Sequence, residues 1–150
     1  MGVKETLLAK YPDLDLSDSI PTLEWLHSVY DKSITDKSTF MSSFTTNSAY
    51  AGLTFPVKDD PDTPGKKVYN FQYRYLEADV PYGLLVIKGI AELVGQATPT
   101  IDDAIRWAQT KVNKEWILED GSVAGKHLGE SRAPQRYGVT TLDDFIRGAA

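Results

Sequence analysis

The sequence predicts an all-α fold, a compact bundle of about six helices around a buried central helix, on three observations. Ile101, Ala104, Ile105, Ala108 and Val112 recur at the helical intervals of one face. Pro81 to Leu93 is apolar most of the way round its wheel, as a helix in the middle of a domain must be. Only one stretch, Val68 to Leu76, alternates with the period of a strand, and no partner strand is evident elsewhere.

In chain order, Val3, Leu7 and Leu8 mark a first helix over Val3 to Lys10, open to extension upstream and stopped by Tyr11-Pro12-Asp13. After a turn-rich link, Pro21 opens PTLEWLHSVYDK, with Ser19 as its cap. Leu23, Leu26, Val29 and Tyr30 share a face, Trp25 lies beside it, and His27 falls on the polar side. Asp36 to Thr46 forms a short helix with Phe40, Met41 and Phe44 inward. NSAYAGLTFPV is a loop carrying buried aromatics, and KDDPDTPGKK is a charged loop tip. Tyr69, Phe71, Tyr73 and Tyr75 alternate, so Val68 to Leu76 is either a strand or an extended aromatic segment over helices.

The central helix then runs from about Pro81 to Leu93 with Gly95 as its terminator. Lys88 and Glu92 are spaced for an i,i+4 pair on its surface. Thr98-Pro99 supplies the cap and first residue of the next helix, with Asp102 and Asp103 in its first turn. A helical turn over Ser122 to Leu128, a polar link GESRAPQR and a closing helix TTLDDFIR, capped by Thr140 or Thr141, complete the chain.

Composition narrows the function classes. The 150 residues suffice for one domain with a real core, and 41% hydrophobic with 25% charged residues is an ordinary globular balance. A net charge of −5, without a basic block, argues against nucleic acid as a partner. The absence of cysteine removes disulfides, thiolate metal sites and a cysteine nucleophile together. No apolar run reaches membrane-spanning length and MGVKETLLAKYPD lacks a leader's apolar core, so no membrane partner and a cytoplasmic location are expected. His27 and His127 show neither HxxxH nor HExxH context, which gives no basis for a metal. Gly83, Gly89 and Gly95 are six apart rather than GxGxxG, and no GxSxG, Walker or calcium-loop pattern occurs.

Chemistry therefore centres on Arg74 and Asp79, ahead of the central helix. On one continuous helix residues five apart point roughly 140° away from each other. Val80 precedes proline and is pushed from α geometry, so a bend is expected that lets the two side chains converge. Two readings stand. Asp79 can be an N-cap and Arg74 a surface cation. Alternatively, the arginine fork holds a carboxylate while Asp79 orients a general acid/base such as histidine.

The run RYLEADVPYGL, followed by IKGIAELVGQATPTIDDAI, resembles the α-helical C-terminal domain of the octopine/nopaline (opine) dehydrogenase family. Upstream NSAYAGL is similar to that family's Asn-Pro-Ala-Tyr-Gly pattern, with serine for proline. Downstream GSVAGKHLG and YGVTTLDDFI resemble its late elements, so the likeness spans roughly Leu14 to Arg147. The resemblance implies the helical fold of 6-phosphogluconate dehydrogenase C-terminal domains. It also implies reductive condensation of a 2-oxo acid such as pyruvate with an amino acid, with NAD or NADP as cofactor. By that resemblance Arg74 binds a substrate carboxylate and Asp79 pairs with the catalytic histidine. Tyr82 and Trp25 are assigned to the pocket wall from aromatic character alone. Residues 1–150 form a single substrate domain in this reading, and a Rossmann NAD(P)-binding domain is a partner absent from the sequence. The family's histidine is expected ahead of the first helix; neither His27 nor His127 has its context. The chain alone is then expected to be inactive, with a homodimer possible. The competing reading is a free-standing helical interaction or dimerisation module without catalysis.

Overall fold

The computed structural model describes residues 2–148 and contains seven α-helices and one two-stranded sheet among them. The chain divides into two compact units, Asp13–Phe55 and a larger one formed by Met1–Pro12 with Pro56–Ala150.

In the smaller unit, α2 (Thr22–Tyr30) begins at Pro21, which takes the N-cap position expected for Ser19 and offers no side-chain cap. α3 (Phe40–Thr45) is held by Thr39, whose hydroxyl accepts from Ser42 N at 3.0 Å. Leu26 is fully buried and Ile34 nearly so. Val29, Phe40, Met41 and Phe44, expected inside, are exposed, Met41 by 68%. The inward position of α3 goes instead to Ser43, fully buried, whose hydroxyl donates to the Thr39 carbonyl at 2.8 Å. His27 Nε2 meets Ser43 Oγ at 2.8 Å, so it is a partly buried structural group rather than a solvated one. A helix only six residues long has room for one buried position, and a small hydroxyl bonding backward fills it.

In the larger unit, α1 (Val3–Lys10) starts after an extended Gly2, whose amide donates to Glu5 Oε2 at 2.6 Å. The alternating stretch finds its partner. β1 (Val57–Asp59) pairs antiparallel with β2 (Lys67–Tyr69), and the charged loop is the tip of that hairpin. The strand stops at Tyr69, and α4 (Arg74–Glu77) takes over the last two tyrosines' neighbourhood, with Tyr73 as its extended N-cap.

A π-helical turn, Val80–Leu84, leads into α5 (Leu85–Leu93). α5 ends as predicted. Gly95 has φ +69°, Gly95 N donates to Glu92 O at 3.0 Å, and Gln96 N donates to Ala91 O at 2.8 Å. α6 (Pro99–Val112) buries Ile105 and Ala108 and partly buries Ile101 and Val112, while Ala104 is exposed. The core joins Val80, Leu85, Ile105, Ala108, Trp116, Ile117, Val123 and Ala133.

α5 is less central than its apolar wheel implies. Leu85, Lys88, Gly89 and Ala91 are buried, but Ile87 is 56% exposed. Val86 and Ile90 line an open groove with Pro134, Tyr137, Val139 and Phe145. Gly89 allows the chain to lie close on α5. A Cβ there would stand 2.9 Å from the Pro134 ring, and Gln135 Nε2 donates to the Gly89 carbonyl at 2.9 Å.

The expected Lys88–Glu92 pair is not made. Lys88, 7% exposed, reaches Asp102 Oδ1 at 3.0 Å and Oδ2 at 3.3 Å, linking α5 to α6. Thr98 Oγ1 donates to Asp102 Oδ1 at 2.9 Å, and Glu92 Oε2 accepts from Val123 N at 3.0 Å. A buried ammonium needs a buried partner more than an exposed neighbour needs it.

The Ser122–Leu128 stretch is not helical. It folds back on 115–118, with Gly125 N donating to Trp116 O at 3.0 Å and His127 N to Glu115 O at 2.9 Å. The supposed polar link is also part of the interior: Ser131 and Ala133 are fully buried. α7 (Leu142–Arg147) is capped by Thr141, whose hydroxyl accepts from Asp144 N at 3.1 Å. From α7, Asp143 pairs with Lys10 at 2.6 Å and accepts from Tyr11 Oη, tying α1 down.

Two outcomes follow from these contacts. Lys88→Met leaves the Asp102 carboxylate buried without its cation, and urea denaturation should show a loss of about 3–5 kcal/mol. The double change Lys88→Met with Asp102→Leu should recover much of it; an undiminished single variant would contradict the pairing. For Asp143, the hydrogen bonds from Lys10 and then Tyr11 hold its carboxyl below the usual aspartate value. That contribution is present above the unfolded aspartate pKa of about 4 and fades as pH falls through the lower folded value. Tyr11 is raised above its usual value chiefly by the same bond, so its contribution fades at the alkaline end. Amide protection factors in α1, taken relative to the intrinsic exchange rate at each pH, should therefore be highest between those limits, and Asp143→Asn should abolish the acid-side change.

Candidate functional site

The junction of α4 and α5 is where the sequence concentrates its chemistry. Pro81 has no N–H, so the i→i+4 ladder cannot pass through it. The backbone answers with a wider turn: Leu85 N donates to Val80 O across five residues, while Tyr82 N keeps its bond to Ala78 O at 3.0 Å. In place of the bend expected at Val80 the chain makes a π turn without leaving helical geometry, and Asp79 stays right-handed helical at φ −67°, ψ −27°. Asp79 occupies the N-cap position, but its carboxylate makes no capping hydrogen bond, which corrects the cap reading.

Arg74 and Asp79 are both exposed and share neither a hydrogen bond nor an ion pair among the described residues. The Arg74 guanidinium lies over the Tyr75 ring at 5.5 Å. Stacking leaves the edge of the fork, where its N–H groups lie, open to a planar acceptor. Tyr82, from the π turn, is 52% exposed and carries the Arg132 guanidinium over its ring at 5.6 Å. Arg132 is anchored from both ends: its amide donates to Pro81 O at 3.1 Å and its Nη1 to Tyr137 Oη at 3.1 Å. Arg132 was not singled out by sequence; only its place in the polar GESRAPQR run marked it.

Trp25 belongs to the Asp13–Phe55 unit. It is 48% exposed on α2 and stands edge-on to Tyr30 at 6.3 Å. From Tyr30 an aromatic chain continues through Tyr50 to Phe44 and Phe40.

Beside the π turn lies a cavity of about 220 Å³ lined by Glu77, Pro81, Tyr82, Val112, Lys114, Trp116 and Glu130. Lys114 Nζ donates to Glu130 Oε2 at 2.7 Å, and that bond holds the Glu130 carboxyl below its usual pKa. Trp116 is 1% exposed, and its indole N–H has no acceptor among the described residues. The segment after α6 that delivers Trp116 lacks helical or strand periodicity, so no sequence signal pointed to it. Its backbone is held by the Gln109 side chain, whose Oε1 accepts from Trp116 N at 2.5 Å and Ile117 N at 2.7 Å.

The one sheet among the described residues is the antiparallel hairpin, which has no parallel strand or glycine-rich strand-to-helix turn to receive a pyrophosphate. Nor is any group of three or more His, Asp or Glu side chains among them arranged for a metal ion. No helix among the described residues is long and apolar enough to cross a membrane.

Comparison with known proteins agrees with the geometry. The family model described as NAD/NADP octopine/nopaline dehydrogenase, alpha-helical domain, matches residues 2–112. The chain is 39% identical over 146 residues to an opine dehydrogenase of Haliotis discus hannai, covering 97% of this chain and 35% of that protein. It is 39% identical over the same length to an octopine dehydrogenase of Pecten maximus, covering 97% and 36%, and 38% identical to a tauropine dehydrogenase of Arabella iricolor. The chain thus spans about 36% of the length of these curated relatives. Among solved structures, octopine dehydrogenase with NADH and L-arginine superposes with a TM-score of 0.88 at 38% identity, covering 99% of this chain and 36% of the other. The complex with NADH and agmatine gives 0.87 at 37% identity, with the same coverage. The predominantly helical architecture, the RYLEADVPYGL junction and these matches converge: the chain belongs to the NAD/NADP octopine/nopaline dehydrogenase family, as its α-helical domain.

Proposed function

We propose that the 150 residues act as the substrate domain of an NAD(P)H-dependent opine dehydrogenase, which reductively condenses a 2-oxo acid with the amine of an amino acid. The observation that carries this reading is identity of 39% maintained over 97% of the chain. It is supported by solved octopine dehydrogenase complexes with L-arginine and with pyruvate, each including NADH. The dinucleotide supplies the hydride and is held mainly by a Rossmann domain outside these residues.

In this reading Arg74 binds a substrate carboxylate through the open edge of its stacked guanidinium. The stack on Tyr75 limits the side chain's freedom before substrate arrives, so less entropy is lost on binding. Asp79 balances and orients the imidazole of a histidine contributed from outside the chain, keeping its proton at the atom that delivers it. Its carboxylate makes no cap bond, so it is available for that partner. Tyr82, beside this junction, forms a wall of the substrate pocket.

The first test is calorimetric titration of the chain with NADH, followed by assay of pyruvate-dependent NADH oxidation with a panel of amino acids. The expected result is neither binding nor turnover. Saturable NADH binding with turnover would overturn the division of labour. Joined to the nucleotide-binding part of an octopine dehydrogenase, the chain should gain activity. There Arg74→Ala should lower kcat/KM by about 10- to 100-fold, the value of roughly 1.5–3 kcal/mol for a charged hydrogen bond. Asp79→Asn should lower kcat and displace the acid limb of the pH profile. Unchanged kinetics in the Arg74 variant would sink that assignment.

A further inference from the structure

A helix that is apolar most of the way round belongs inside a protein, yet the domain covers α5 on one side only. Leu85 and Ala91 are buried. Val86, Ile90 and Val94, spaced four apart along the helix, are partly buried, and Ile87 beside them is exposed. Val86 and Ile90 line an open trough of about 410 Å³. Its remaining apolar lining is Pro134 and Val139, both buried, with Tyr137 and Phe145, both exposed.

The trough also carries positive charge without a counter-ion. Arg132 lines it, and Arg136 lies over the Tyr137 ring at 5.2 Å while its Nη1 donates to the Ser131 carbonyl at 2.5 Å. Neither arginine meets a carboxylate among the described residues. The acids of α7 are engaged elsewhere, Asp143 with Lys10 and Tyr11, and Asp144 with Thr141. A second copy seated here about a two-fold axis would set the same arginines against each other. A helix with an apolar face and carboxylates along its edge answers both features.

The source of that helix follows from α1. Asp143 ties the end of α1 to α7, two residues before Phe145. With eight residues α1 is about 12 Å long, so chain preceding it enters within about that distance of the tie. These residues span only 36% of the octopine dehydrogenase they match, which leaves most of such an enzyme to supply the cover. We propose that the trough receives an amphipathic helix from the residues that precede this domain in the full-length enzyme. Its apolar positions pack on Val86, Ile87, Ile90 and Phe145, and its Asp or Glu side chains face Arg132 and Arg136. The inference rests on the proposed enzyme, with its nucleotide-binding part first in the chain, and not on the roles of Arg74 or Asp79.

The test joins the chain to the residues of the Pecten maximus octopine dehydrogenase that lie outside the match. Photocrosslinking from p-benzoylphenylalanine at position 87 then identifies what covers α5. The expected product is an intramolecular crosslink to a stretch ahead of this domain, apolar at helical spacing and carrying at least one acid. Hydroxyl-radical oxidation of Tyr137 and Phe145 should be about fivefold slower in the joined protein than in the isolated chain, as burial of that face requires. Ile87→Glu should restore the isolated-chain rate in the joined protein and leave the Tm of the isolated chain unchanged. A lowered Tm there would mean that Ile87 already packs within the domain, against the proposal. Crosslinks between two molecules would assign the trough to a second copy, and crosslinks to the nucleotide-binding fold itself would replace the helix with a domain contact. No crosslink, with oxidation unchanged, overturns the proposal. Turnover is read separately: an active joined protein with an open trough refutes this inference alone, and an inactive one with a covered trough counts against the functional reading alone.

Discussion

The contact between Lys88 and Asp102 conditions the rest of the larger unit. A lysine in the middle of α5 is buried to 7% exposure, and only an ionised partner makes that tolerable. Asp102 serves from the first turn of α6, where the dipole also favours a carboxylate. Thr98, at the N-cap, spends its hydroxyl on Asp102 rather than on a free backbone amide. The pair thereby fixes the rotation of α5 about its axis. Leu85 and Ala91 face the interior, and Val86, Ile87 and Ile90 are turned toward the outside. It also relieves Glu92, which is free to accept from Val123 N and hold the returning chain.

That rotation sets what stands at the N-terminal end of α5. Pro81 interrupts the hydrogen-bond ladder, and a π turn absorbs the interruption without leaving helical geometry. The consequence is a junction where side chains from α4, the π turn and the 130–137 segment meet. Arg132 is the joint between them, bonded to the Pro81 carbonyl and stacked over Tyr82. A straight α-helix would have used the Pro81 carbonyl within its own ladder. Here it accepts from a residue about fifty positions away, which is how a local break in one helix becomes a tertiary anchor.

Helix existence was legible wherever a long apolar face recurred, as in α6, and wherever proline or glycine punctuated an end, as at Pro81, Gly95 and Pro99. Side-chain orientation was less so. Phe40, Met41 and Phe44 have the composition of an inward face, but α3 buries Ser43, because a six-residue helix contributes one contact and a small polar side chain bonds there more closely. Lys88 has the spacing of a surface pair with Glu92, and nothing within α5 reveals the carboxylate fourteen residues on. The hairpin partner of the aromatic stretch, Val57–Asp59, carries one apolar residue between proline and a charged tip, too short for alternation to register.

The sequence by itself determined the helical class, the helix ends marked by Gly95 and Pro99 and the position of the Arg74–Asp79 pair ahead of the central helix, because these depend on backbone preferences acting over a few residues. It also carried the family, through RYLEADVPYGL and the segments around it. Only the tertiary structure decided that Lys88 is a buried ion, that Arg132 shares the junction, and that Trp116 lines a cavity with its N–H unpaired. Those are contacts between residues 14 to some 50 positions apart, or cavities left between such segments. No local propensity encodes them, since each depends on how neighbouring elements exclude water from the same small volume.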